Sequence, residues 1–237
     1  MKDLACKYFP PSDTFSFPNE NIASTKYKTS IITPTNFKAV LNYMDTHFWK
    51  DEPMVQHLNF QPYPKVTDVI IMDSLKKGTS IMITDKHTQS ILAVGINGTL
   101  TINEKYPEYD DTKFMKIIKA LNDLYVQADE KHGNIFKLFE TTNFFEISHL
   151  SVAKEARGRG LCKEIIKETL KIAKKLGFQA VIVEATANHS RRALLHEGFI
   201  VLSEFNYEDY TQGNNRDPIF KGVPHEKFSL MVKKILT

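Results

Sequence analysis

The clearest pattern along the chain is a change of hydrophobic period between residues 147 and 177. Ile147-Ser148-His149-Leu150-Ser151-Val152 broadly alternates apolar and polar positions, which is the two-residue period of a half-buried strand. Beyond a short charged turn, apolar residues recur at Leu161, Ile165, Ile166, Leu170, Ile172, Ala173 and Leu176, while Lys163, Lys167, Lys171, Lys174 and Lys175 fall mostly on the other side. Spacings of three and four make one apolar helical face, and Gly177 stands where a terminating glycine belongs. Ala180 to Ala185 reads as a buried strand, Asn188 to Glu197 as a short helix, Gly198-Phe199 as a turn, and Ile200 to Asn206 as another strand. The prediction for this half is strand, turn, helix, strand, helix, strand.

The same reading applied upstream predicts a strand at Tyr27 to Ile32, ended by Pro34, and a helix through Phe37, Val40, Leu41, Met44 and Phe48 capped by Thr35 or Asn36. A helix over Tyr63 to Leu75 ends at Gly78. A hairpin joins Ser80–Thr84 to Ile91–Ile96, and residues 103 to 111 form a loop. A long helix spans Phe114 to Lys131, and an apolar cluster from Ile135 to Phe145 leads into the strand at 147. The chain closes with a polar loop from Glu208 to Gly222, long enough to act as a lid or substrate loop, and a strand from Lys227 to Ile235. Residues 1 to 23 carry Pro10, Pro11 and Pro18 without any period and predict a loosely ordered tail. Residues 24 to 237 are expected to form one α/β domain.

Composition narrows the classes. The net charge is +3 over 237 residues, too small to argue for nucleic acid or a membrane surface. Cys6 and Cys162 make no disulfide framework and belong to no metal-ligand spacing. No apolar run approaches the ~20 residues of a membrane span, and no signal-peptide core is present. A reduced, cytoplasmic, monomeric enzyme without a metal is the expectation.

The turn between strand and helix carries the first candidate chemistry. Arg157-Gly158-Arg159-Gly160-Leu161-Cys162 removes side chains where a ligand must approach, and the first N–H groups of the helix point at that ligand. Two guanidinium groups add to the positive helix end, so a pyrophosphate suits the turn. The spacing matches neither the dinucleotide nor the P-loop fingerprint. Over residues 144 to 203, Leu-Ser-Val, then R-G-x-G with its helix, strand and second helix ending in Gly-Phe, resembles the acetyl-CoA-binding motif of the GNAT N-acetyltransferases. That resemblance implies the GNAT acyl-CoA N-acyltransferase fold, of α/β (α+β) class, with a central mixed, mostly antiparallel sheet flanked by helices. It implies acetyl-CoA as cosubstrate. Leu150, Ser151 and Val152 would hold its pantetheine arm and polarise the thioester, and Arg157, Gly158, Arg159, Gly160, Leu161 and Cys162 would hold its pyrophosphate, with Asn188 nearby. Cys162 departs from the Gly or Ala usual there.

The second candidate lies upstream. Phe48-Trp49-Lys50-Asp51-Glu52-Pro53-Met54 holds an Asp-Glu pair before a proline that forces Glu52 out of helical conformation and can open a new helix. An Asp-Glu pair commonly caps a helix. The segment also resembles the F-[FW]-x-D-E-P-[LM] signature of the insect arylalkylamine N-acetyltransferases, whose glutamate is the catalytic base; carried over, that base is Glu52. The same branch has two hydroxyl residues four apart, matching Thr186 and Ser190, which would serve the leaving thiolate, the substrate or coenzyme A; Ser190 could equally cap its helix. A primary amine has a pKa near ~10.4 and must lose its proton to attack, which gives a carboxylate its task. His149 is a candidate relay; His189 and His225 read as structural. The resemblance implies acetyl transfer to a small arylalkylamine. A polyamine or histamine acceptor, or a non-catalytic acyl-CoA-binding protein on the same fold, are the alternatives.

Overall fold

The computed structural model describes residues 26–60, 71–102, 112–213 and 216–235. Seven strands form one sheet in the order β1-β2-β3-β4-β5-β7-β6: β1 (Tyr27–Ile31), β2 (Ile81–Asp85), β3 (Ile91–Thr101), β4 (Asn143–Val152), β5 (Ala180–Ala185), β6 (Ile200–Asn206) and β7 (Lys227–Lys234). Every neighbouring pair is antiparallel except β4 and β5. A parallel pair needs a crossover, and the helix predicted after the glycine turn supplies it. The sheet is mixed and mostly antiparallel, flanked by helices, as expected.

The helices are α1 (Phe37–Tyr43), α2 (Pro53–His57), α3 (Thr112–His132), α4 (Ile135–Leu138), α5 (Leu161–Lys175) and α6 (Asn188–His196), with a further helical turn at 71–76. The rest of the helix predicted over 63–75, the loop at 103–111 and the tail lie outside the described residues. β4 begins at Asn143, four residues before its alternating stretch, because Phe144 and Phe145 are both fully buried and hide the period. Asn36, one of the two predicted candidates, is the N-cap of α1, although its side chain makes no capping hydrogen bond to that helix. Thr33 and Asn36 form a reciprocal capping box around a short 3-10 turn at Pro34–Asn36. α1 then widens into a single π turn over Met44–Phe48.

α5 lies on β3 at Gly95. A Cβ there would stand 2.5 Å from Ile165 Cγ2 and 3.4 Å from Ile81, so the absence of a side chain sets how closely helix and sheet approach. Asn97 and Thr169 fix the same contact with a buried polar pair, since Asn97 Nδ2 donates to Thr79 O at 2.8 Å and lies 3.4 Å from Thr169 Oγ1. This packing holds the N-terminus of α5 beside the end of β4.

Candidate active site

The site starts from a break in strand pairing. β4 pairs with β5 only over Phe145–Ile147, opposite Val181–Val183, whereas it stays paired with β3 to Val152. The register against β3 shifts between Ile96 and Asn97, leaving Ser148 as the extra residue of a bulge. A bulge bends and over-twists its strand, and here the two parallel strands part beyond it. Ala153 N–H donates to Leu92 O at 2.9 Å. Antiparallel bonding alternates, so the backbone groups of Leu150 and Val152 turn away from β3 and into the gap. Arg157 Nε reaches back to Val152 O at 3.3 Å. The gap therefore offers an unpaired strand edge to an extended ligand carrying amides.

At the mouth of the gap the chain turns through Gly158 and Gly160, with φ of +74° and +78°, and Gly160 is the N-cap of α5. No cap side chain occupies the helix end, and a Cβ at either glycine would meet no atom within 4 Å. These glycines serve the left-handed turn and leave open space above the first N–H groups of the helix. Arg157 pairs with Asp51, which joins this turn to the segment holding Glu52. Both partners are about half exposed, a setting in which ion pairs contribute at most about 1 kcal/mol. Asp51→Asn should therefore lower the unfolding free energy by less than about 1 kcal/mol, and 1 M salt should erase the difference; chemical denaturation in low and high salt checks both.

Cys162 is partly buried, and burial pushes its thiol up to about 11 in spite of its place in the first turn of α5. The thiolate is the reactive form, so in a Cys6→Ser background a disulfide reagent at pH 8 should modify Cys162 at below about one hundredth of the rate of free cysteine. Modification at the free-thiol rate would contradict that environment.

Glu52 stands where Pro53 was expected to put it. It is extended (φ −67°, ψ 119°), caps α2, and has Pro53 as the first helical residue. Its amide donates to Phe48 O at 2.9 Å, closing the turn that leaves the π helix. The carboxylate is 8 % exposed. Oε2 accepts from Val55 N–H at 2.6 Å, while Oε1 is buried without a partner among the described residues. Burial raises the acid from 4.5 to about 7, against the pull of the Val55 amide, the Thr186 hydroxyl and the Met54 amide. Thr186 is near enough to lower the value but makes no hydrogen bond of good geometry to Oε1. One carboxylate thus caps α2 and buries its second oxygen, which the cap alone would not require.

Behind Glu52 lies Tyr207, fully buried, whose hydroxyl donates to Thr186 O at 2.7 Å. Burial, reinforced by the negative charge of Glu52, keeps the phenol well above its ordinary value. The place of Tyr207 beside the carboxylate depends on β6 and could not be read from spacing. Tyr207, Tyr210, Phe205, Phe220 and Phe228 pack ring against ring. The described residues of the loop after β6 are anchored rather than a free lid. His57 Nε2 meets Ile219 O at 3.1 Å, Tyr210 hydroxyl donates to Asp123 at 2.7 Å, and Gly222 N–H donates to Glu208 at 2.8 Å.

The remaining predicted residues separate. Ser190 donates to Ala187 O at 2.9 Å and does not cap α6, whose N-cap is Ala187. Asn188 opens that helix and accepts from Glu226 N–H at 3.2 Å. Ser151 points at Tyr43, with 3.4 Å between hydroxyls, which ties α1 to the sheet. His149 packs against both Phe48 and Trp49, at ring distances of 4.9 and 5.6 Å. The residue is half-buried as a whole, but its Nδ1 is shielded without a partner among the described residues, and burial holds the imidazole below its usual range and neutral. His189 and His225 meet edge to face with ring centroids 6.2 Å apart. Among the described residues no group of three His, Cys, Asp or Glu could hold a metal, and no helix is long and apolar enough to cross a membrane.

Comparison with known proteins gives this geometry a context. The acetyltransferase (GNAT) family matches residues 104–199. The crystal structure of arylalkylamine N-acetyltransferase 2 from Aedes aegypti superposes with a TM-score of 0.79 at 31% identity, over 89% of this chain and 99% of that one. A mosquito arylalkylamine N-acetyltransferase-like 5b follows at 0.77 and 17% identity, over 88% and 99%. The polyamine N-acetyltransferase of Drosophila melanogaster, described as forming N-acetylagmatine, gives 0.72 and 18% over the same shares. The last two show the shared fold. With a parted β4–β5 pair, a glycine turn capping α5, and a relative 31% identical along nearly its whole length, the chain belongs to the GNAT family of acetyltransferases.

Proposed function

We propose that the protein transfers the acetyl group of acetyl-CoA to the primary amine of a small arylalkylamine, with Glu52 as general base. One observation carries this reading: a nearly buried carboxylate raised to about 7, with one oxygen unpartnered, on the segment that also holds the glycine turn through Asp51. A helix cap needs neither the burial nor the raised pKa. A base acting near neutral pH needs both.

The unpaired edge of β4 suits the amides of a pantetheine arm, and the α5 end with Arg157 and Arg159 suits a diphosphate. The backbone N–H of Val152, fixed before charge develops, polarises the thioester oxygen. Leu150 and Ser151 shape the strand that carries it. The amine gives its proton to Glu52, directly or through one water, and its nitrogen attacks the carbonyl carbon. The carbon–sulfur bond then breaks and the thiolate leaves with the bonding pair. Thr186 is the better placed of the two hydroxyl residues to assist, because the Ser190 proton is committed to Ala187 O. The 31% identical relative is named for arylalkylamines, and Phe48, Trp49 and His149 present rings beside the site.

The test is thiol release from acetyl-CoA with tryptamine, dopamine, histamine and spermidine offered separately. The reading predicts kcat/KM at least tenfold higher for an aryl amine than for spermidine. The reverse order would assign the protein to polyamines. Acetyl-CoA binding with no turnover of any amine would favour a binding protein.

A further inference from the structure

Glu52 stands in a closed circuit of contacts that runs through the loop after β6. It caps α2, whose last residue is His57. His57 Nε2 lies 3.1 Å from Ile219 O, and its ring meets Phe220 with centroids 6.1 Å apart. Phe220 is fully buried and meets Tyr207 at 5.9 Å, nearly at right angles. Tyr207 also packs on Phe228 of β7 at 5.1 Å, and its N–H donates to Glu226 O at 3.0 Å. Ring and backbone are therefore both held, which fixes where the hydroxyl stands. That hydroxyl closes the circuit by donating to Thr186 O at 2.7 Å. Ala185 is the last residue of β5 paired with β7, and Ala187 is the N-cap of α6. Thr186 falls between ladder and helix, and the bond to its carbonyl comes from Tyr207 instead.

We propose that Tyr207 is a positioning residue for Glu52: its hydroxyl fixes the Thr186 peptide and so keeps the Thr186 side chain turned toward the carboxylate. The inference rests on Glu52 being the base. A carbonyl and a side chain share one Cα, so a peptide plane that is held narrows where the hydroxyl can stand. A hydrogen bond to the charged form of an acid favours that form, and the Thr186 hydroxyl accordingly offsets part of the burial that raises Glu52. Tyr207 acts through Thr186 and touches no reacting atom. A fully buried phenol needs a partner for its proton, and spending it on Thr186 O makes the loop after β6 a support for the base. His57 gives the loop a second hold, at the far end of the helix that Glu52 caps.

The test follows the Glu52 carboxyl carbon by NMR across pH in carbon-labelled protein, with the signal assigned by its loss in Glu52→Gln. It needs no substrate. Thr186→Val removes the hydroxyl itself and should weaken the acid roughly three- to tenfold, moving the midpoint to higher pH. Tyr207→Phe keeps the ring and should move the midpoint by a similar amount. The double variant should move it no further, because both changes act through one contact. The rising limb of kcat/KM for tryptamine should follow the midpoint. Phe220→Leu loosens the ring beside Tyr207 and keeps every hydroxyl. It should shift the midpoint the same way by less, and it decides the question if Tyr207→Phe does not fold. An unmoved midpoint in Tyr207→Phe, even with a lower melting temperature, would make Tyr207 merely structural and overturn the proposal. Shifts that add in the double variant would overturn it too. A midpoint that responds as predicted in a protein that acetylates no amine would uphold the support of Glu52 and contradict only its role as base.

Discussion

Glu52→Ala is expected to lower kcat/KM for an aryl amine by roughly 10²- to 10⁴-fold, the range that a positioned general base contributes. The same carboxylate should cost stability. Its pKa in the folded protein is raised from 4.5 to about 7, so the folded state favours the protonated acid. The favourable contribution is fully present below about pH 4.5 and is lost as pH rises through about 7. That loss amounts to an upper figure of roughly 3 kcal/mol. Glu52→Gln removes the buried charge while keeping an oxygen for Val55 N–H. It should raise the melting temperature at pH 8 and change it little at pH 5. A variant both inactive and stabilised at alkaline pH is the signature of a base held in a desolvated site. A variant equally destabilised at both pH values would reduce Glu52 to its capping role.

The second large effect concerns the contact that sets the helix against the sheet. Gly95→Val should destabilise the protein by about 2–3 kcal/mol or more, lowering the melting temperature by about 5–10 °C. The reason is local. The first added carbon would stand 2.5 Å from Ile165 Cγ2, a methyl fixed to a β-branched side chain whose rotamer in a helix is almost unique. Ile165 cannot swing aside, so α5 must lift from β3 and take the turn at Gly158–Gly160 with it. Weakened coenzyme A binding should therefore accompany the lower melting temperature, as calorimetry alongside thermal unfolding would detect. Gly98→Ala is the control. Its new carbon would meet Glu146 Oε2 at 2.7 Å and Ser148 Oγ at 3.0 Å, both ends of side chains, and Glu146 can move. The loss there should be smaller. Equal losses at the two positions would show that the Gly95 contact has no special rigidity.

The parts of the fold that sequence made legible are those that local rules decide. β5, β6 and α6 match their predicted bounds to within a residue because their apolar runs end at Gly177, Gly198 and polar turns. The conformation of Glu52 follows from the clash that Pro53 imposes on its predecessor. Burial of the carboxylate did not follow, because it depends on Tyr207 and Thr186, more than 130 residues further along. The ion pair between Asp51 and Arg157 joins residues 106 positions apart, and no periodicity speaks to it. The extra residue at Ser148 was equally hidden: alternation from 147 to 152 reads as an unbroken strand, whereas the bulge is decided by pairing with β3. The length of the polar loop after β6 suggested a lid or substrate loop. Its aromatic residues Tyr210 and Phe220 instead pack into the cluster with Phe228, which only the closed sheet could bring together.

The most direct test of Glu52 as the base is the pH dependence of kcat/KM for tryptamine in the wild type and in Glu52→Gln. The account predicts a wild-type profile that rises through an apparent pKa near 7, matching the raised carboxylate. In the variant that limb should vanish, leaving only a shallow rise toward the pKa of the amine itself, near ~10. A variant that keeps the rise near 7 would contradict the assignment and give the proton to another group.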